Sequence, residues 1–449
     1  MTDISHQSTV EDSSPSIDWS VGMGYRRAKV AAVMGGLYLG VIGLHLVSWG
    51  YLVVWGMTGI FGWRALLLVC ADVTSPPVFT PPEIYPFISL AVSAKNEAAV
   101  IAGSIENLCT LNYPLDRYEV WAIDDNSSDR TGEILDSLAL KYPQLRVVHR
   151  DATGTGGKSG ALNQILPSMQ GDLIGVFDAD AGVTNDVLDT VLAYFQNPTV
   201  GAIQLRKAIA NSSTNFLTRG QGAEMALDAY LQQQRTSRGG IGELRGNGQF
   251  VRRTALNDCD GWNEETITDD LDLTIRLHLM GWTVELMPYP PVQEEGVTTL
   301  QSLWNQRNRW AEGGFQRYFD YWRAIASNRM GTTKTLDLLS FVAIQYLLPP
   351  AGIPDFLMSL WLGHPPLLLP LTVSLGVALP LWAIWIGLQR TYQQAGESIS
   401  TAQLIAQTAT GSAFILHWLV VMPFAIARMS LFPKQLKWVK TPRVGDIPE

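Results

Sequence analysis

Asp172-Leu-Ile-Gly-Val-Phe-Asp178-Ala-Asp180 is an apolar run that stops on two carboxylates one residue apart. A short, continuous apolar run reads as a strand buried on both faces, the kind that parallel sheets use. In an open α/β sheet, ligands sit in the crevice beyond the carboxyl ends of the strands. Paired carboxylates there suit a divalent cation that holds a phosphorylated ligand, because Mg2+ is usually bound by one or two carboxylates plus substrate phosphates. Alone, an Asp-Ala-Asp is more often a turn, since Asp is common where strands end. The neighbouring segments decide between these readings.

Upstream, residues 87–94 read as a strand ending on Lys95-Asn96-Glu97, followed by a helical stretch through Cys109. Residues 118–123 read as a second strand, which ends on Asp124-Asp125. Asn126-Ser-Ser-Asp129 then supplies capping side chains for a helix reaching Lys141. Residues 145–149 form a third predicted strand, and the loop Gly154-Thr-Gly-Gly-Lys158 opens a helix near 160–169. This alternation predicts an α/β fold with a doubly wound, Rossmann-like, mostly parallel sheet over residues 86–330. Both acidic pairs fall at strand ends, on the ligand side.

Downstream, Thr266-Ile-Thr268-Asp269-Asp270 opens a helical pattern with Leu271, Ile275 and Leu279 on its buried face. Acids in a first turn favour the helix dipole, yet a carboxylate facing a nucleotide crevice also suits a general base. Gln306-Arg-Asn-Arg309-Trp310 lies on an amphipathic, aromatic-rich helix. Such a helix is commonly an interfacial anchor, while an Arg can neutralise a diphosphate and an indole can stack on a sugar. The loop Ala152-Thr-Gly-Thr-Gly-Gly157-Lys158-Ser159 is not a P-loop, which requires Gly where Ala152 stands. Its backbone N–H groups and the Lys158 ammonium still suit a nucleotide diphosphate.

The 449 residues are 47% hydrophobic and only 16% charged, against about 25% charged in globular chains. That deficit predicts membrane segments. Arg26, Arg27 and Lys29 precede an apolar region at 30–71 that fits two spans, broken near Trp49-Gly50, with Arg64 the anomaly in the second. A polar tail (1–29) precedes it, with no signal peptide expected, and a Pro-rich linker (72–85) follows. Within 331–430, residues 338–361, 366–388 and 408–429 are membrane or interfacial candidates, and 431–449 form a basic tail. Basic flanks at both ends place the termini and the α/β domain in the cytoplasm, with an even number of C-terminal crossings. A net charge of -9 argues against nucleic acid as a partner. Three dispersed cysteines and six dispersed histidines indicate neither disulfides nor a zinc site, so any metal is a hard, oxygen-bound ion.

Asp-Asp, a lysine in a Gly-rich loop, Asp-x-Asp, Thr-x-Asp and Gln-x-x-Arg-Trp, in that order and flanked by membrane segments, resemble the family 2 glycosyltransferases with a GT-A fold. Cellulose and hyaluronan synthases belong to that group. Within it the chain looks most like members that glucosylate diacylglycerol, through Ala122-Ile-Asp-Asp-Asn-Ser-Ser-Asp-Arg-Thr131 and Gly-Lys158-Ser-Gly-Ala-Leu-Asn163. The resemblance implies a UDP-sugar donor, a lipid acceptor and Mg2+ (or Mn2+). It implies that Asp124 and Asp125 meet the uridine, Lys158 and Arg309 the diphosphate, and Asp178 the ribose, diphosphate and metal. Asp180 would ligate the metal and Asp270 would be the catalytic base, with Asp269, Gln306 and Trp310 at the sugar and acceptor. Two departures stand out. The family's Thr-Glu-Asp is Thr268-Asp269-Asp270 here, and Lys95 replaces a Tyr frequent before Asn-Glu in the first-strand motif. A processive polysaccharide synthase is the alternative with the same chemistry, and a tethered nucleotide-binding module without turnover is the alternative of another class.

Overall fold

Two long helices, α1 (Arg26–Leu46) and α2 (Gly50–Val69), lead into a seven-stranded sheet in the computed structural model, which describes residue 19 and residues 24–73 and 75–433. Most of the polar N-terminal tail and the basic tail from residue 434 onward lie outside the described residues. The sheet contains β1 (Ile88–Ala94), β2 (Tyr118–Asp125), β3 (Leu145–Arg150) and β4 (Leu173–Phe177), then β5 (Val200–Ile209), β6 (Gln249–Arg252) and β7 (Thr283–Glu294). Their order is β3-β2-β1-β4-β6-β5-β7. β1, β2 and β4 are buried along almost their whole length, as strands covered by helices on both faces must be.

β1 pairs in parallel with β2 on one side and β4 on the other. The strand order reverses at β1, so the crevice between the β2 and β4 ends is the topological switch point. The Asp178-Ala-Asp180 stretch begins where β4 stops, as its apolar run implied. β6 runs antiparallel to both β4 and β5, so the sheet is mixed, though mostly parallel.

The crossovers are α3 (Ile101–Cys109), α4 (Thr131–Lys141), α5 (Gly157–Ile165) and α6 (Val187–Phe195). α5 starts earlier than predicted and stops at Ile165, where Leu166–Ser168 tightens into a 3-10 turn around Pro167, which has no N–H to continue the helix. α7 (Phe216–Ser237) begins with an Asn215–Thr218 capping box. α8 (Arg253–Asp258), α9 (Asp269–Leu279) and the long α10 (Leu300–Ala326) complete the α/β domain.

Beyond it come α11 (Thr332–Phe341), α12 (Leu348–Leu362), α13 (Leu369–Leu371), α14 (Leu379–Gln394), α15 (Thr401–Ile415) and α16 (Trp418–Leu431). Two π-helical segments, Val342–Leu347 and Thr372–Ala378, join α11 to α12 and α13 to α14. Among the described residues, five helices are long and apolar enough to cross a membrane: α1, α2 and the rods Thr332–Leu362, Leu369–Gln394 and Thr401–Leu431. Three of these follow the α/β domain, where the basic flanks favour an even number of crossings. Pro349-Pro350 lies inside the rod Thr332–Leu362, directly after its π-helical segment, where the missing N–H groups interrupt the helical ladder.

Candidate active site

Adjacent residues of a strand point to opposite faces, so only one of Asp124 and Asp125 can look into the crevice. It is Asp125. Its carboxylate accepts from Arg150 Nη1 at 2.6 Å, and Lys95 Nζ lies 3.8 Å away. Asp124 instead accepts from the Ser127 N–H at 3.1 Å and faces His149 Nδ1 at 3.1 Å, away from the cavity lining. Asp124, expected beside the nucleotide, thus lies outside the cavity lining and braces the turn after β2.

Arg150 was not singled out from the sequence, yet it organises this corner. Its buried guanidinium also donates to the Thr155 carbonyl at 2.7 Å and the Gly157 carbonyl at 3.2 Å, tying the Gly-rich loop to the end of β2. The loop needs its glycines, because Gly156 (φ 76) and Gly157 (φ 54) take the left-handed conformation just before Lys158.

Lys158 Nζ donates to Asp178 Oδ1 at 2.6 Å. The Asp178 N–H donates to Asn247 Oδ1 at 3.1 Å, and Asp180 Oδ2 accepts from the Glu295 N–H at 2.8 Å. The two acids after β4 are thus held by different elements, one toward α5 and one toward the end of β7. Opposite them, Lys207 from β5 pairs with Glu294 at 2.9 Å and lies 5.6 Å from the centre of the Trp310 ring. Lys207 and Glu294 escaped the sequence reading because a pair 87 positions apart leaves no local pattern.

Asp269 and Asp270 open α9, where the helix dipole favours acids. Burial, then repulsion from Asp269, pushes the Asp270 carboxyl up to about 6, against the Leu271 N–H, Lys207 and Lys158, which pull it down. Burial opposes the Lys158 ammonium, but Asp178, Asp269 and Asp270 outweigh it and hold the charge firmly on. Burial lowers Arg309 somewhat, while Asp178, Asp270 and Asp269 favour its charged form.

Asp125, Lys158, Asp178, Asp180, Asp269, Asp270, Gln306, Arg309 and Trp310 all line one cavity of about 800 Å³. Among the described residues, Asp269 Oδ2, Gln306 Oε1 and two nitrogens of Arg307 are buried without a hydrogen-bond partner. The Asp269 and Gln306 oxygens could accept from ligand hydroxyls, and the Arg307 nitrogens could donate to ligand oxygens.

α10 reaches the site through a close approach. A Cβ on Gly313 would overlap the Thr268 side chain, at the N-cap of α9. Gly313→Ala is expected to push Thr268 and Asp270 away from α10 and to cut kcat by roughly one to two orders of magnitude, the effect of a misplacement of about 1 Å. Gly103→Ala, on α3 with open space around it, is the control and leaves kcat unchanged. Parallel turnover assays and thermal melts separate lost geometry from lost folding.

Residues 85–313 match the family described as "Glycosyltransferase like family 2". The chain is similar to a protein named beta-monoglucosyldiacylglycerol synthase from Synechocystis sp., at 55% identity over 430 residues, covering 94% of this chain and 90% of that protein. It is also similar to the protein of that name from Nostoc sp., at 56% identity over 424 residues with the same coverage. Among solved structures it is similar to a mannosyltransferase from Pyrobaculum calidifontis in complex with GDP-Man and Mn2+, with a TM-score of 0.51 and 21% identity over 89% of this chain and 100% of that one. That last likeness shows the GT-A fold.

Proposed function

The chain belongs to glycosyltransferase family 2, and from that premise we propose that it transfers glucose from UDP-glucose to the free hydroxyl of 1,2-diacylglycerol, with inversion at the anomeric carbon. The observation that carries this reading is the 55% identity along 94% of the chain, which spans the catalytic domain and the membrane-side helices alike. A processive synthase is less well supported, since relatives named as glucomannan mannosyltransferases are 29% identical over 51% of the chain or 27% over 67%.

In this reading Asp125 and Lys95 sit where the nucleoside would lie, and Arg309 and Lys158 face the diphosphate. Asp270 removes the acceptor proton as the hydroxyl oxygen attacks the anomeric carbon. A carboxyl near 6 is well matched to that task, because it is ionised at neutral pH yet basic enough to take the proton. Trp310 offers a ring face to the sugar, and Asp269 and Gln306 have buried oxygens available for sugar hydroxyls. One base suffices, because a leaving diphosphate neutralised by cations needs no proton.

Asp178 and Asp180 fit a hard divalent cation, and among the described residues no group of three or more His, Cys, Asp or Glu side chains could hold a metal by itself. Two carboxylates completed by phosphate oxygens are the arrangement typical of Mg2+ sites. Such an ion would supply positive charge to offset that growing on the departing UDP. The basic residues ahead of α1 favour a cytoplasmic catalytic domain and a multi-pass membrane protein.

The test is an activity assay on the purified full chain with labelled UDP-glucose and dioleoylglycerol in mixed micelles. One lipid-soluble product carrying a single glucose is expected, a polymer would sink the reading, and unreacted donor would favour a binding module. Excess chelator is expected to abolish turnover, and Mg2+ or Mn2+ to restore it.

A further inference from the structure

Arg64 lines the same cavity as Asp270 but has no part in the chemistry above. It stands on α2 within Ile60-Phe-Gly-Trp-Arg64-Ala-Leu-Leu-Leu-Val69, an otherwise apolar run on a helix with the length and composition to cross a membrane. A cation on such a helix is costly unless it reaches the interface or faces a polar cavity, and it marks a functional position by default. The side chain is half-buried, and among the described residues it makes no ion pair or hydrogen bond.

Gln234 of α7 donates to the Leu68 carbonyl at 2.9 Å and the Val69 carbonyl at 3.0 Å, pinning the end of α2 to the catalytic domain. Arg64 lies one and a half turns before that end, about 7 Å along the axis. The interfacial layer of a bilayer is roughly 5–7 Å thick on each side of its hydrocarbon core, so with the end of α2 at the water-facing boundary Arg64 would lie at the level of lipid glycerol and ester groups.

Phe61, Arg64, Ala65 and Leu68 share one helical face, and that face lines the cavity. Across from it, Ile344 and Leu375 line the cavity from the two π-helical segments. π-helical turns are rare and concentrate at functional sites. The cavity therefore joins a carboxylate that can take a proton to the apolar side chains of α2 and the π-helical segments, with Arg64 among them. A matching ligand has a hydroxyl at one end, neutral acceptor oxygens in the middle and hydrocarbon beyond.

We propose that Arg64 is an acceptor-binding residue whose guanidinium donates to the ester carbonyls of diacylglycerol, with the acyl chains between α2 and the π-helical segments and the free hydroxyl directed toward Asp270. The proposal rests on diacylglycerol being the acceptor. A fork of donors at that level suits two neighbouring carbonyls.

The experiment compares dioleoylglycerol with its diether analogue, which keeps the hydroxyl and chains but lacks the carbonyls, for the full-length wild type and Arg64→Gln in phosphatidylcholine vesicles. For the wild type, the diether is expected to raise the acceptor KM about tenfold, the worth of a hydrogen bond to a charged group. Arg64→Gln is expected to show a similar rise with the ester and no further rise with the diether, while its KM for UDP-glucose stays within about twofold of wild type. Equal use of ester and diether by the wild type would overturn the proposal, and that arm stands even where the variant does not fold. A defect in Arg64→Gln that arises only when phosphatidylglycerol is added would overturn it too, making a phospholipid phosphate the ligand. A wild type inactive on every diglyceride would instead remove the proposed function itself, and the first assay reveals this before any variant is made.

Discussion

Asp270→Asn lowers kcat by about 10²–10⁴-fold, the range expected when a positioned general base is removed. The amide copies the shape of the carboxylate and keeps its place in the first turn of α9, but it cannot accept the acceptor's proton. The groups proposed for the donor come from other elements: Asp125 from β2, Lys158 from α5 and the acids after β4. UDP-glucose should therefore bind Asp270→Asn nearly as well as wild type, which calorimetry would check beside the turnover assay. Full activity in the variant would refute the assignment. The same group sets the pH profile. Because its folded-state value is raised to about 6, by burial first and by Asp269 second, the working carboxylate is present above that pH and lost below it. The profile of kcat/KM reports the free enzyme, so it should be flat near neutrality and fall about tenfold per pH unit below about 6. Asp269→Asn removes one of the two causes and should carry this acid limb to lower pH. An unmoved limb would show that Asp269 does not repel the base.

The sequence made the left half of the sheet legible and left much of the right half obscure, for physical reasons. β1, β2 and β4 are continuous apolar runs that end on charged residues, which is what strands covered on both faces must look like. β6 is only four residues long and runs antiparallel, so it offers no run to detect. β7 carries Pro288, Pro290 and Pro291, which argue against a strand until its place at the edge of the sheet is known, since an edge strand has one side with no ladder to join. In the site, the acids, the loop lysine and the Arg-Trp pair were visible because each stands at an element end or in a punctuated motif. Arg150, Lys207 and Glu294 were invisible because their worth lies in partners distant in the chain. Asp124 and Asp125 are parted by the strand itself. The period of a strand already says that two consecutive aspartates cannot both face one crevice, although it does not say which one does.

Lys158→Met is the second large loss, about 10²–10³-fold in kcat, the usual effect of removing one preorganised charge from the place where negative charge develops. Methionine keeps the length and apolar stem of lysine while taking away the ammonium that stands 2.6 Å from Asp178. A structural defect could lower kcat as well, so the diagnostic readout is again the pH profile. Lys158 is among the cations that hold the Asp270 carboxyl down, with Lys207 and Arg309. Removing it should move the acid limb of kcat/KM to higher pH, opposite to the movement expected for Asp269→Asn. Lys158→Arg keeps the charge and should restore the limb to its wild-type position, even where altered geometry leaves kcat below wild type. General loosening of the site would let water reach Asp270 and shift the limb one way in every variant, whereas charges acting through space shift it according to their sign. Opposite movements in Asp269→Asn and Lys158→Met, with the arginine variant unmoved, would identify the acids and the lysine as one electrostatic unit around the base.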